Sequence, residues 1–355
     1  MNNVERIRQK LAEKDLDAVI IENEKNQRYA AGFPFTDGSV IVAKDGAWLI
    51  TDSRYIEAAN LRAEGVTVLL YNKEKPLKAF ISELVSDAGV NRLGIEENSM
   101  SYGRWLALKE QLSCELVPAQ YIFSDLRASK SEEEIGYMKE AQAISEAALD
   151  EVLGIIRPGM TESEIAAELV YRMLRHGSEG NSFDPIVVAG AKTSMPHGVP
   201  GDNVVKDGDF LTMDFGCIRN GYCSDMTRTV VLGTASPKQR EVYETVYRAQ
   251  TEALAALRPG KKGKEIDEVS RNIIAEAGYD GCFGHGLGHS VGLEIHEDPN
   301  CNAREERVLQ AGMIMTVEPG IYIDGFGGVR IEDMVVLTAD GYENLAFSEK
   351  KLIEL

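Results

Sequence analysis

The sequence predicts a chain in two parts, α/β plus α+β: a small α/β domain over residues 1–125, then a larger α+β domain over 126–355 built from two copies of one motif. Three observations predict this. The 355 residues suffice for two domains at roughly 100–200 residues each. Strand-like apolar runs alternate with helix-like stripes in the first third, the pattern of a small α/β unit. Segments of the last two thirds recur at a spacing of 101 to 105 residues.

Composition narrows the function classes. Hydrophobic residues are 44% and charged residues 27% of the chain, which is ordinary globular composition and excludes a disordered or fibrous chain. With 57 acidic against 38 basic residues the net charge is −19, so a phosphate backbone would be repelled and no nucleic-acid partner is expected. The N-terminus, MNNVERIRQK, lacks the apolar segment of a signal peptide. No run approaches the ~18 apolar residues of a membrane span, so no membrane partner is expected either. Five scattered cysteines, an odd number, fit reduced thiols in a cytoplasmic protein.

The elements follow in order. Val4, Ile7 and Leu11 recur at helical spacing. Ala18 to Ile21 reads as a buried strand. Ser39–Ala43 and Trp48–Thr51 flank Lys44-Asp45-Gly46, a hairpin signal. Val66–Tyr71 reads as a further strand and Pro76–Ala88 as a helix. Residues 126–130 read as the joint. Ser131 with Glu134 is a capping box that opens a long helix, its stripe made by Ile135, Met138, Ala141, Leu149, Val152 and Ile156.

The second part then repeats. Arg157-Pro158-Gly159, Glu164-Ile165 and Gly177 recur 101 residues later as Arg258-Pro259-Gly260, Glu265-Ile266 and Gly278. Gly208 to Gly216 resembles Gly312 to Gly320 at an offset of 104, and Val230-Val231-Leu232 matches Val335-Val336-Leu337 at 105. A single match could arise by chance, but five in order indicate a duplication. Asp214 of one half corresponds to Glu318 of the other.

Residues 209–217 and 222–232 read as strands joined at Arg219-Asn220-Gly221, where Asn-Gly tolerates the positive φ of a tight turn. A two-residue turn sets Asp214 opposite Thr227 and Asp225 opposite Gly216, so both aspartates and Thr227 share one face. Alone, this is equally a solvated polar face. The second half adds Glu318 at the end of the equivalent strand, and Glu332 on the returning strand, which shares a face with Arg330. Four buried carboxylates without cations would be prohibitively unfavourable, so they point to two divalent ions. Oxygen-rich ligation favours Mn²⁺, with Co²⁺ or Zn²⁺ as alternatives.

Three of the five histidines, His285, His289 and His296, lie in Gly284-His285-Gly286-Leu287-Gly288-His289 to His296. The spacing of the first two resembles that of a helical zinc motif, but no glutamate follows His285 and the glycines oppose a helix. His176 reads as a partner for a helix C-terminus. His197, in Met195-Pro196-His197-Gly198, stays ambiguous on these grounds.

These segments together resemble the pita-bread metallopeptidases, the family of methionine aminopeptidase, aminopeptidase P and prolidase. The resemblance rests on Met213-Asp214-Phe215-Gly216, Ser224-Asp225-Met226-Thr227-Arg228-Thr229, His285-Gly286-Leu287-Gly288-His289, Thr316-Val317-Glu318-Pro319-Gly320-Ile321-Tyr322 and Val329-Arg330-Ile331-Glu332-Asp333. It implies metal ligands at Asp214, Asp225, His289, Glu318 and Glu332, with Asp225 and Glu332 bridging. Asn26 to Phe33 and Thr51 to Tyr55 resemble the creatinase-like N-terminal domain of prolidases and aminopeptidases P, which methionine aminopeptidases lack. All five ligands are present, which disfavours a non-catalytic peptide-binding scaffold.

The resemblance implies a two-metal site that activates water and polarises the scissile carbonyl. Glu318 would also carry the proton, and His197, His285 and His296 would contact the reacting peptide or line the proline pocket. Arg330 would orient a carboxylate, and Thr227, otherwise simply a strand former, would support a ligand. The implied substrate is a proline-containing dipeptide, as for a prolidase, with a longer peptide cut by an aminopeptidase P as the alternative. The implied assembly is a homodimer.

Overall fold

The computed structural model describes residues 2–355. The chain divides into two compact units, the first closing at Arg127 and the second spanning Ala128–Leu355.

The first unit is built on a six-stranded mixed sheet. Its strands lie in the order Thr67–Leu70, Ala47–Thr51, Gly38–Ala43, Ala18–Ile21, Arg92–Ile95, Glu115–Pro118. The expected hairpin is there, with Val42 opposite Ala47. The opening helix, Asn3–Glu13, buries Val4, Ile7 and Leu11, and its first turn is capped by the Asn2 side chain. The Pro76–Ala88 segment forms the helix Leu77–Asp87. Further helices cover Glu24–Ala31, Ile56–Arg62, Tyr102–Gln111 and Gln120–Ala128. Strands with helices between them, buried around Ile20, Ile41, Ile50 and Leu93, make this the α/β domain expected.

The second unit repeats one plan. Helices Glu132–Leu153 and Glu162–Arg175 precede a three-stranded antiparallel sheet of Ile186–Ala189, Phe210–Phe215 and Met226–Val231. Helices Pro237–Ala256 and Gly263–Ile274 precede a second sheet of Ile314–Val317, Asp333–Leu337 and Tyr342–Asn344. Capping boxes open the first helix of each half, at Ser131/Glu134 and Ser236/Gln239. The glycines that end matching turns share their conformation: Gly159 and Gly260 have φ of 98° and 90°, Gly177 and Gly278 of 96° and 89°. Each half keeps its own core, one around Leu169, Met213 and Val230, the other around Val246, Met315 and Val335. Ile156 lies beyond the helix that its spacing suggested, because that helix ends at Leu153. None of the five cysteines is in a disulfide.

Candidate metal centre

The hairpin that carries the two aspartates has the register read from its turn. Asn220 and Gly221 both have positive φ, at 48° and 74°. Asp214 pairs with Thr227, and Met226 with Phe215. The strands are not continuous, however. The chain leaves the ladder at Gly216 on one side and at Ser224 and Asp225 on the other. Ser224 Oγ takes the Cys217 amide at 3.0 Å, and a Cβ on Gly216 would lie 1.9 Å from the Ser224 carbonyl. The second half breaks in the same way. Gly327–Arg330 and Asp333–Leu337 are separate strands, and Glu332 sits between them. Asp225 and Glu332 therefore both project from breaks, where the backbone passes from one small sheet to another.

The two breaks face each other. Side-chain oxygens of Asp225 and Glu332 and a ring nitrogen of His289 all lie within 4.8 Å of one another. His289 Nε2 stands 3.6 Å from Asp225 Oδ2 and 3.3 Å from Glu318 Oε1. Its Nδ1 faces the Ser290 carbonyl at 3.1 Å, which leaves Nε2 as the donor atom toward the carboxylates. Thr227 donates to Glu332 Oε2 at 2.7 Å, and Thr316 donates to Glu318 Oε1 at 3.2 Å. Asp214, Asp225, His289, Glu318 and Glu332 all line one cavity of about 600 Å³.

Arg330 is engaged by the protein itself. Its Nη2 donates to Asp214 Oδ2 at 2.5 Å, its Nε to Thr227 at 3.2 Å, and its Nη1 to the Tyr322 hydroxyl at 2.9 Å. The carboxylate that it orients is thus Asp214. The Tyr322 hydroxyl also meets His285 Nε2 at 2.8 Å, while His285 Nδ1 faces the Gly286 carbonyl at 2.8 Å. Both nitrogens of His285 are occupied. Burial lowers its basicity, so it stays neutral with the proton at Nδ1. His197 and His296 also line the cavity, and among the described residues no hydrogen bond holds their ring nitrogens. His176 lies elsewhere, capping its helix and paired with Glu151 at 2.9 Å.

Sequence reasoning gave Tyr322 no role, and nothing near it in sequence signals one, since its partner His285 lies 37 residues away. Arg304 was missed as well, hidden among the charges of Arg304-Glu305-Glu306-Arg307. It lines a second cavity of about 700 Å³, which shares His285, Gly286 and Asn302 with the first. Its guanidinium is exposed and pairs with no carboxylate among the described residues.

The donor set fits cations. Asp214 Oδ1 is buried and meets no hydrogen-bond partner among the described residues. Such an oxygen is costly unless a cation takes it. Burial, then the charge of Asp214, pushes Asp225 well above the usual carboxylate range, and burial, then Asp225, does the same to Glu332. Burial opposes charge on Glu318 too, but the His289 hydrogen bond prevails and holds it low. Burial also opposes charge on His289, yet Glu318 and Asp225 raise it to about 9. Protons spread over crowded acidic and imidazole donors are what divalent cations displace.

Residues 136–339 match the model of metallopeptidase family M24, and residues 3–129 match the creatinase/prolidase N-terminal domain. The chain belongs to metallopeptidase family M24. It is therefore a metal-dependent peptidase on a creatinase-type N-terminal domain. Some of its relatives are named Xaa-Pro dipeptidase and others X-Pro aminopeptidase. The structure of a Xaa-Pro dipeptidase from Bacillus anthracis superposes with a TM-score of 0.96 at 40% identity, covering 99% of each chain. A Xaa-Pro dipeptidase from Pyrococcus horikoshii is 37% identical over 99% of this chain and 98% of its own. The structure of an X-Pro aminopeptidase from Thermotoga maritima has a TM-score of 0.92 at 36% identity, covering 96% of this chain and 98% of that one. No described helix is long and apolar enough to cross a membrane.

Proposed function

We propose that this M24 peptidase is a dinuclear Xaa-Pro dipeptidase, with two divalent cations, Mn²⁺ first, held by Asp214, Asp225, His289, Glu318 and Glu332. The observation that carries the metal reading is Asp214. Arg330 fixes one of its oxygens and the other is buried with no partner among the described residues, and Asp214 lines a cavity with three more carboxylates. Bound there, the cations supply Lewis acidity and an activated water. The remaining work belongs to side chains. Thr316 donates to Glu318 Oε1, so the transferred proton is held at Oε2. His197 and His296 reach the peptide with free ring nitrogens. His285 acts through Tyr322 on Arg330, and Arg330 orients Asp214.

The choice of a dipeptide is supported by Arg304. A guanidinium without a carboxylate partner among the described residues, in a cavity that shares His285, Gly286 and Asn302 with the carboxylate-lined one, suits the free carboxylate of a C-terminal proline. A longer peptide places an amide there instead. The alternative, removal of one residue from longer peptides, is favoured by the likeness to the Thermotoga maritima aminopeptidase. Turnover of Ala-Pro against Ala-Pro-Ala by Mn²⁺-loaded protein tests this. Preference for Ala-Pro, lost on Arg304→Gln through a rise in KM, is the expected result. Equal or faster cleavage of Ala-Pro-Ala makes the chain an aminopeptidase. The reading includes a cytoplasmic homodimer, supported by the resemblance. Light scattering at one chain's mass with full activity removes the dimer.

A further inference from the structure

Glu162 is the first residue of the helix Glu162–Arg175, and its side chain is fully buried. Four donors converge on it. Oε1 accepts from the Ala189 amide and from Asn203 Nδ2, both at 2.9 Å. Oε2 accepts from Lys192 Nζ at 2.5 Å and from the Gly201 amide at 3.1 Å. Lys192 also donates to the Val199 carbonyl at 2.7 Å. All five groups belong to Ala189–Asn203, the segment that carries His197 into the cavity wall. Between Met195 and Asn203 this segment has no helix or strand of its own. One carboxylate therefore closes both ends of an irregular loop.

The second half solves the same problem with different residues. Asp267, on the helix Gly263–Ile274, is buried and accepts the Leu287 amide at 3.0 Å and both Nε and Nη2 of Arg271. Arg271 in turn donates to the carbonyls of Phe283 and His285, each at 2.9 Å. In each half, then, a buried carboxylate and a cation hold the loop that brings a histidine to the cavity. Glu162 corresponds by the 101-residue offset to Gly263, not to Asp267. The device is not a relic of the duplication, since each half builds it separately. A loop that needed only anchoring could be held by apolar packing, without the cost of burying a charge. What four directed hydrogen bonds add is a fixed position.

We propose that Glu162 is a positioning residue for hydrolysis: by closing the loop at Ala189, Lys192, Gly201 and Asn203 it sets where His197 stands over the metal centre. This rests on the role proposed above for His197. Replacing Glu162 with Gln turns one acceptor oxygen into an amide donor, so whichever way the amide sits one of the two pairs of bonds, Ala189 with Asn203 or Lys192 with Gly201, is lost.

The test uses Mn²⁺-loaded full-length protein as wild type, Glu162→Gln, His197→Ala and the double variant. The substrate is whichever of Ala-Pro and Ala-Pro-Ala the wild type turns over faster. In Glu162→Gln, bound Mn²⁺ should be unchanged, because none of the five candidate ligands lies on this loop. Amide exchange should quicken at Ala189 or Gly201, whichever amide faces the new NH2 group, and kcat/KM should fall about 10-fold to 100-fold, the scale of a small misplacement. In the His197→Ala background the same change should cost less than about twofold, since coupled residues do not add. Lys192→Gln, changed at the partly exposed side of the clamp, should give milder versions of each result if Glu162→Gln folds poorly. Unchanged exchange, or an equal cost in both backgrounds, overturns the proposal. Full activity of His197→Ala removes His197 from the reaction and the positioning role with it, while the exchange data still report the clamp separately.

Discussion

Thr227 and Glu332 stand 105 residues apart, the offset between matching strands of the two halves, and they touch: Thr227 Oγ1 donates to Glu332 Oε2 at 2.7 Å. The neighbouring pair does the same. Arg228 and Asp333 share that offset and form a buried ion pair at 2.9 Å. Arg228 also donates to the Glu332 carbonyl at 2.5 Å, so the backbone and side chain of one candidate ligand are both held from the opposite half.

Replacing Thr227 with Val keeps the shape of the side chain but removes its hydroxyl. Glu332 loses a donor, and metal affinity should fall about 10-fold to 100-fold, as for other groups that orient a ligand. Thr227→Ser should restore most of it. Titration of chelator-treated protein with Mn²⁺ measures this, and affinity unchanged in Thr227→Val would remove the supporting role.

Chelator-treated protein should lose activity and regain it with Mn²⁺ or Co²⁺. It should also lose stability, because crowded carboxylates are then left to repel or to take up protons. Thermal unfolding with and without Mn²⁺ checks both parts. Full activity in metal-free protein would sink the reading of the centre.

Asp214→Asn and Glu318→Gln should differ at equal metal content. The first weakens binding, and excess Mn²⁺ should return part of the activity. The second also removes the group proposed to carry the proton, which is worth about 10²–10⁴-fold. Glu318→Gln should stay nearly inactive when elemental analysis shows both metals bound. Equal impairment per bound metal pair would make Glu318 a ligand only.

A prediction away from the centre concerns acid stability. Asp17 accepts from Lys44 at 2.6 Å and from the amides of Asn91 and Arg92 at 3.0 and 2.9 Å. Lys44 first, then those amides, lower its pKa to about 2 from 3.8. A carboxyl depressed in the folded state stabilises above its unfolded pKa, and that contribution fades as the pH falls from about 4 toward 2. Asp17→Asn should therefore cost about 1–2 kcal/mol at pH 6, and roughly half that at pH 3. Denaturant midpoints at the two pH values decide it, and a constant difference would contradict the assignment.

The legible parts of the molecule were those governed by local rules. Asn220-Gly221 could be read as a tight turn because few residue pairs accept two positive φ values, and the whole register followed from it. The repeats were legible because Arg-Pro-Gly turns and capping boxes are local. The breaks at Asp225 and Glu332 were not, since they depend on how Ser224 meets Cys217 and on how one small sheet passes into the next. The occupation of His285 by Tyr322, and of Arg330 by Asp214, joins residues 37 and 116 apart. Periodicity carries no trace of such pairs. Arg304 was illegible for the opposite reason, because an exposed arginine in a charged run looks like any solvated surface.

Positions related by the duplication that lie against each other have a history written in their chemistry. In an assembly of two identical half-chains, a residue on the symmetry axis meets its own copy. Position 228 would then set arginine against arginine, or aspartate against aspartate, and position 227 would set glutamate against glutamate. Each is repulsive when buried. Joining the halves into one polypeptide lifts that constraint, because the two positions can then mutate separately. Threonine facing glutamate and arginine facing aspartate are arrangements closed to two identical half-chains and open to a fused one. The covalent link between the halves thus does more than hold them together: it permits complementarity at the one place where strict symmetry forbids it.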